Sequence, residues 1–356
     1  MGSHLGEYLF GTFMRLPIEA VSDADSHNRQ EYCHRGVEWT TMRARDDLFE
    51  AVDDAFSPGA ARNFAAGLTE YYRAPGTSGF QTAMDRVESE LREAGLDVTV
   101  DEPVIEGAWE PNHASLSVVE PEQEPLIDFE EAPACIAWAS SPTDGPEQFD
   151  VVDVGTGESP ADFEDVKGEV VFIQGTQRRP GWWEAAGNAL DAGARGIITD
   201  YMLYQTPGVR EPELVPEAAQ LLRLRPSERF ADEDIWALSI PHESVQILTE
   251  LLGEGPVAVE ADIDVDVFDT TVPYLEAAIP GQETPEEEIL FCGHASGIKP
   301  GANCAEGTGL VVELARTLNE LADDYEFKRT VKFIVGVEGP VSEEYLKRNP
   351  AVRSES

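Results

Sequence analysis

The chain has 356 residues, and 69 Asp and Glu against 25 Lys and Arg give it a formal net charge of -44. A surface this negative repels polyanions, which excludes a general nucleic-acid binder and an anionic-membrane binder. A hydrophobic content of 42% excludes disorder over most of the length.

Only five of the basic residues are lysines: Lys167, Lys299, Lys328, Lys332 and Lys347. So acidic a chain repels itself in dilute buffer unless salt screens it. The composition is therefore expected of a protein adapted to a salt-rich, halophilic interior. Calcium loops would be the rival source of the carboxylates, but no D-x-D-x-D-G loop closed by Glu occurs. Cys33, Cys135, Cys292 and Cys304 lie far apart with no C-x-x-C pair, so neither a zinc knuckle nor a disulfide framework is indicated. There is no run of ~18 apolar residues to span a membrane. Nor does a basic segment followed by an apolar one mark a secretory leader. The expectation is a soluble, cytoplasmic protein of about two domains at ~100–200 residues each.

Residues 1–43 hold His4, His27 and His34 with no clear period, and are expected to be a poorly ordered leader. His34 beside Cys33 makes too few ligands for a metal site. Ser57-Pro58 opens a helix with Pro in the first turn. A second helix starts at Ser78, with Gln81 at capping-box spacing, and Phe80, Ala83, Val87 and Leu91 form its apolar face. Gly95 closes it, and Leu96, Val98 and Val100 alternate as a strand.

From 107 to 272 short apolar runs alternate with Pro, Gly and acidic clusters, predicting a β-rich domain of short strands. Gly168–Gly175 reads as a strand, Trp183–Gly193 as a helix, and Ala194–Asp200 as the next strand. Ala237–Pro241 leads into a helix from His242 to Leu252, ended by Gly253. Val257–Val267 alternates apolar and acidic residues, as a half-buried strand with a solvated face does.

The α/β pattern resumes at Tyr274. The apolar run Ile289–Cys292 predicts a strand covered on both faces. A Gly-rich loop follows, then a helix carrying Leu310, Leu314, Leu318 and Leu321, the strand Val331–Val335, and a short helix over Ser342–Arg348. Strand, helix and strand here predict a parallel crossover.

Ligands of open parallel sheets sit beyond the carboxyl ends of the strands. His294 lies just past one strand, Cys304 in the loop before the helix, and Glu338 just past the next strand. An imidazole, a thiolate and a carboxylate together suit a zinc ion, which takes about four ligands. Other hydrolase patterns fail. Ser296 is not centred in G-x-S-x-G. Cys292 and Cys304 lack a second histidine to act as base. His242-Glu243 would begin H-E-x-x-H, but position 246 is Gln.

The segments Gly293-His294-Ala295-Ser296, Pro300–Gly309 (PGANCAEGTG) and Val312-Glu313-Leu314-Ala315-Arg316 resemble the zinc aminopeptidases of peptidase family M twenty-eight. Phe327–Val335 followed by Glu338 is similar to that family's strand and acidic turn, and Arg73–Gly79 to its R-x-P-G-S segment. Gly168–Gly175 and Ala194–Thr199 resemble its protease-associated insert. The resemblance implies an aminopeptidase-like mixed α/β sheet with flanking helices, C-terminally incomplete, carrying an inserted β-rich protease-associated-like domain. The implied limits are 44–106 and 273–356 for the peptidase-like unit and 107–272 for the insert.

The implied activity is release of N-terminal residues from peptides with a free amino terminus, by water activated on paired zinc ions. His294 would be a ligand, and Glu338 either the general base or the adjacent ligand. Cys304 stands where the family has its bridging Asp, and Ser296 where it has the Asp of H-x-D. Val337-Glu338-Gly339 replaces the paired glutamates, and no histidine follows His294. Two ions need at least about five ligands, so a dinuclear site is not expected. The alternative function is a non-catalytic binding or interaction protein that keeps the peptidase-like fold.

Overall fold

Periodic burial and turn chemistry set the local elements of the computed structural model, which describes residues 39–175, 179–201, 214–220, 224, 234–297 and 304–350. In chain order these are α1 (Trp39–Ala55), α2 (Pro58–Leu68), α3 (Ser78–Glu93), β1 (Val98–Asp101), β2 (Val104–Glu120), β3 (Glu124–Asp128) and β4 (Glu147–Asp153). Then come β5 (Val170–Ile173), α4 (Arg179–Ala192), β6 (Gly196–Thr199), β7 (Trp236–Ser239), α5 (His242–Glu254) and β8 (Ala258–Thr271). The last are β9 (Tyr274–Ile279), β10 (Thr284–His294), α6 (Ala305–Leu321), β11 (Arg329–Gly336) and α7 (Pro340–Arg348). Most of the segment 1–43 lies outside the described residues; its last five residues open α1.

The strands form two sheets, ordered β1-β9-β11-β10 and β3-β2-β8-β4-β5-β6-β7. In the first, β1 and β11 both run antiparallel to β9, while β10 is parallel to β11 through the crossover helix α6. Phe80, Ala83, Val87 and Leu91 of α3 are buried with Phe64 and Leu68 of α2 and Val311, Val312 and Ala315 of α6, against Val331, Phe333 and Val335. Ile334, which alternates with them, packs with Val341 and Tyr345 of α7. Helices therefore cover both faces of this sheet.

The second sheet is threaded between β1 and β9. Its β5, β6 and β7 are parallel and buried throughout. Val170 and Phe172 face the cluster that holds Leu248 and Leu251 of α5. Val171 and Ile173 face Trp182, Ala185 and Ala189 of α4. Continuous apolar runs are what two covered faces require. In β8 the odd positions Val259, Ala261, Ile263 and Val265 are buried, while Asp264 and Asp266 are exposed, as the alternation predicts, but Val267 is 66% exposed and ends the pattern early.

Several local expectations are corrected. The 107–272 region is not built only of short strands, because β2 has 17 residues and β8 has 14, paired antiparallel through three irregularities. The cap of α3 is Thr77, whose hydroxyl accepts from Phe80 N. Ser78 instead donates its N–H to Glu110 of β2 at 3.1 Å, and Gln81 bonds Asp85. A carboxylate from a remote strand thus satisfies the helix terminus in place of a capping box. Helix α5 runs past Gly253 to Glu254, and its N-cap is Pro241, while His242 shares a 3.1 Å bond with Gln246. In α6 the buried positions include Val311, Val312, Ala315 and Leu318, whereas Leu310 is 53% exposed.

The largest correction concerns β10. Among the described residues it lies at the end of its sheet, with Ile289 45% and Leu290 39% exposed. Among those residues the run Ile289–Cys292 is only partly covered, because a continuous apolar run records composition and not the number of neighbours. Among the described residues no helix is long and apolar enough to cross a membrane.

Candidate metal centre

Strand pairing sets His294 beside Gly336 at the carboxyl ends of β10 and β11, and the backbone continues with Ala295 N donating to Gly336 O at 2.9 Å. Two residues on, Glu338 follows the end of β11, and its N–H donates to Ser296 Oγ at 3.1 Å. Cys304 is the residue from which α6 starts, and it sits in the left-handed region at φ 72°. That conformation costs a side-chain-bearing residue about 1–3 kcal/mol and persists only where the surroundings over-determine it. Thr308, one turn into α6, donates its hydroxyl to His294 O at 2.8 Å.

The result is one cluster. A nitrogen of His294, the sulfur of Cys304 and a carboxylate oxygen of Glu338 all lie within 4.8 Å of one another. All three residues singled out in the sequence are brought together. Pro300–Asn303 of the glycine-rich motif lie outside the described residues.

A fully buried guanidinium braces this corner from below. Arg73 Nε donates to Ala295 O at 2.9 Å, and its Nη1 donates to Leu68 O and to Tyr71 O. Its backbone exchanges two 2.8 Å hydrogen bonds with Gly297. Arg73, Ser296 and Thr308 were not legible as site residues. The R-x-P-G-S likeness marked Arg73 only as part of a segment, and nothing local reveals which carbonyls a buried arginine will reach.

Burial dominates the electrostatics. It lowers the His294 pKa, with Glu338 pulling the other way, so the imidazole is neutral at pH 7, the form that binds metals. His294 Nδ1 is buried with no hydrogen-bond partner among the described residues. Burial also pushes the Cys304 thiol up to about 12, helped by Glu338 and Glu306 and opposed by Arg73. The sulfur therefore keeps its proton near neutrality, which removes it as a free nucleophile.

This donor set could hold one metal ion. Donors of a tetrahedral zinc lie ~3.3–3.8 Å apart, given metal–ligand lengths of ~2.0–2.3 Å, and a catalytic zinc takes three protein ligands with one position open. The three donors lie within 4.8 Å of one another, so side-chain rotation would have to draw them together around an ion. Among the described residues the cluster has three donors, whereas two ions would need about five or more.

A mixed α/β unit with a three-donor cluster at the carboxyl edge of its parallel strands is the class that fold and site define. No protein-family model matches the chain, and no curated protein matches it. Solved structures do share its fold. A family M twenty-eight peptidase precursor from Shewanella amazonensis matches with a TM-score of 0.61 at 18% identity, over 86% of this chain and 71% of its own. A zinc aminopeptidase from Bacillus subtilis gives 0.53 at 20%, over 79% of this chain and 61% of its own. An aminopeptidase from an Aneurinibacillus species gives 0.50 at 17%, over 80% and 63%. The chain thus has an aminopeptidase-like fold, and it spans under two thirds of the length of the last two structures.

Proposed function

We propose that this protein is a zinc-dependent aminopeptidase-like hydrolase with a single-metal site, acting on peptides with a free amino terminus. The observation that carries the reading is the convergence of His294, Cys304 and Glu338 within 4.8 Å. The aminopeptidase-like fold supports the substrate class. His294, Cys304 and Glu338 would hold the ion, which when bound polarises a carbonyl and lowers the pKa of water. Ser296 holds the backbone of Glu338, while Thr308 and Arg73 hold the carbonyls of His294 and Ala295 respectively. These contacts fix the spacing of the donors without themselves touching the ion.

The insertion of β2–β8 between β1 and β9 supports assigning 107–272 as a protease-associated-like insert within a peptidase-like unit of 44–106 and 273–356. The exposed aspartates of β8 support the halophilic reading, and the acidic composition fits a cytoplasmic place in such a cell.

One observation favours a second reading. A three-donor cluster that spends Glu338 on the ion holds no further acid among its members to serve as general base. A metal-bearing but non-catalytic binding protein would keep that arrangement. Zinc analysis after dialysis, paired with hydrolysis of an unblocked aminoacyl chromogenic amide in molar salt, separates the two. About one zinc per chain with turnover, both lost in His294→Ala, supports the hydrolase. Zinc without turnover supports the binding protein, and a chain that retains no zinc sinks both.

A further inference from the structure

Between α2 and α3, three successive side chains go to three different places. Tyr71 packs against the core of the first sheet. Tyr72 packs against the core of the second, the cluster that holds Trp109, Ile136 and Leu248. Arg73 is fully buried and reaches Ala295 O, beside His294, at 2.9 Å. Local geometry accounts for the parting of Tyr72 and Arg73. The backbone of Arg73 forms an antiparallel bridge with Gly297, both hydrogen bonds being 2.8 Å. Neighbouring residues on extended chain point to opposite sides. One side here is the second sheet, and the other is the metal corner.

The residues that follow hold this arrangement in place. Thr77 donates its hydroxyl to Tyr72 O at 2.9 Å, and a Cβ on Gly79 would meet the same carbonyl at 2.2 Å. Gly76, at φ 88°, lies so close to the β2–β8 ribbon that a Cβ there would stand 2.7 Å from Ala108 Cβ and 3.1 Å from Thr270 Cγ2. Ser78 N donates to Glu110 of β2. Burial, and after it the Cys135 thiol of the second core, push the Tyr72 phenol above its ordinary value, so the ring is neutral. The planar peptide between Tyr72 and Arg73 is stiff, and close-packed surroundings pass a displacement on rather than absorb it.

Two of the three metal donors lie within reach of such a displacement. His294 immediately precedes Ala295, whose carbonyl Arg73 holds. Ser296 immediately follows it, and Ser296 Oγ accepts from Glu338 N at 3.1 Å. We propose that Tyr72 is a positioning residue for the metal centre: its ring, seated in the core of the second sheet, fixes Arg73 against Ala295, so packing in that sheet sets the spacing of His294 and Glu338. Its effect on the ion rests on the single-metal reading, while the link itself exists in the metal-free chain.

Two measurements on the full chain in molar salt keep those apart. The first is hydrogen exchange of the metal-free protein. Tyr72→Ala should speed exchange at the Arg73 and Gly297 amides by about tenfold or more, whereas Tyr72→Phe, which keeps the ring, should match the parent. Ile127→Ala truncates another side chain packed against the same core and should leave those amides unchanged. The second is zinc affinity, read by competition with a chromogenic chelator. Tyr72→Ala should bind about tenfold more weakly, and Tyr72→Phe and Ile127→Ala as the parent does. If Tyr72→Ala does not fold, Tyr72→Leu is read by the same criteria. A parent that binds no zinc overturns the metal reading and the positioning role with it. Parent-like exchange or parent-like zinc affinity in Tyr72→Ala overturns the positioning role alone. Equal losses in Ile127→Ala overturn it too, because they would mark a general loss of stability.

Discussion

Glu313→Gln gives the sharpest test of how the first sheet's helices are held together. The Glu313 side chain is only 5% exposed, and it accepts from Ser57 N at 2.8 Å and from Arg316 at 3.0 and 2.6 Å. It therefore ties the start of α2 to the middle of α6. Burial alone would raise its pKa, but the Arg316 guanidinium and the Ser57 N–H outweigh burial and hold it below the usual carboxylate value. The amide keeps one acceptor but turns an N–H₂ toward donors. Charge-assisted hydrogen bonds contribute about 1.5–3 kcal/mol each, and about two are weakened. Arg316 is 36% exposed and regains water when its partner loses charge, so we expect a net loss of about 2 kcal/mol at pH 7.

The sign with pH follows from the depressed pKa. The carboxylate's contribution is fully present above its unfolded value of 4.5 and is lost as pH falls through the lower folded value. The gap between parent and variant should therefore narrow as pH falls below 4.5. Hydrogen exchange over α2 and α6, at pH 7 and pH 3 and in constant salt, reads this directly. Peptides from β5–β7 serve as the internal reference, and subtracting the variant removes the general effect of discharging 69 acidic residues. A loss under about 0.5 kcal/mol at pH 7, or one equally large at pH 3, would refute the account.

Three further outcomes follow from the same packing. Arg73→Met should cost about 3 kcal/mol, because it removes the side-chain donor to the carbonyls of Tyr71 and Ala295 and leaves Leu68 O only the Tyr71 N–H. Thermal unfolding measures that, and zinc affinity should fall with it. A Cβ on Gly309 would stand 2.5 Å from Ala61 O and 3.0 Å from Ala65 Cβ at the α2–α6 contact. Gly309→Ala should therefore lose about 1–2 kcal/mol by overpacking, despite its gain of ~1 kcal/mol in helix propensity, and a stabilised variant in urea titration would show the helices free to part. Zinc at a hundred times its dissociation constant should stabilise the parent by about 2.7 kcal/mol, and Cys304→Ala should abolish that increment in a melting experiment.

Sequence pattern alone located the apolar face of α3, most of the alternation of β8 and the strands β5 and β6, because burial on a regular element repeats at the element's own period. Position relative to strand ends, joined to the resemblance, picked out His294, Cys304 and Glu338. Their convergence depends on short local segments at one sheet edge, so little had to be known of the rest. Tertiary structure decided what depends on a distant neighbour. It put Glu110 at the terminus of α3 and Arg73 beneath Ala295, and it buried Glu313 among residues otherwise solvated. It also set Ile289–Cys292 at the end of the sheet among the described residues, because the order of strands is set by long-range pairing that leaves no period in the chain. The same apolar run serves a central strand or an open one, and only its neighbours tell the two apart.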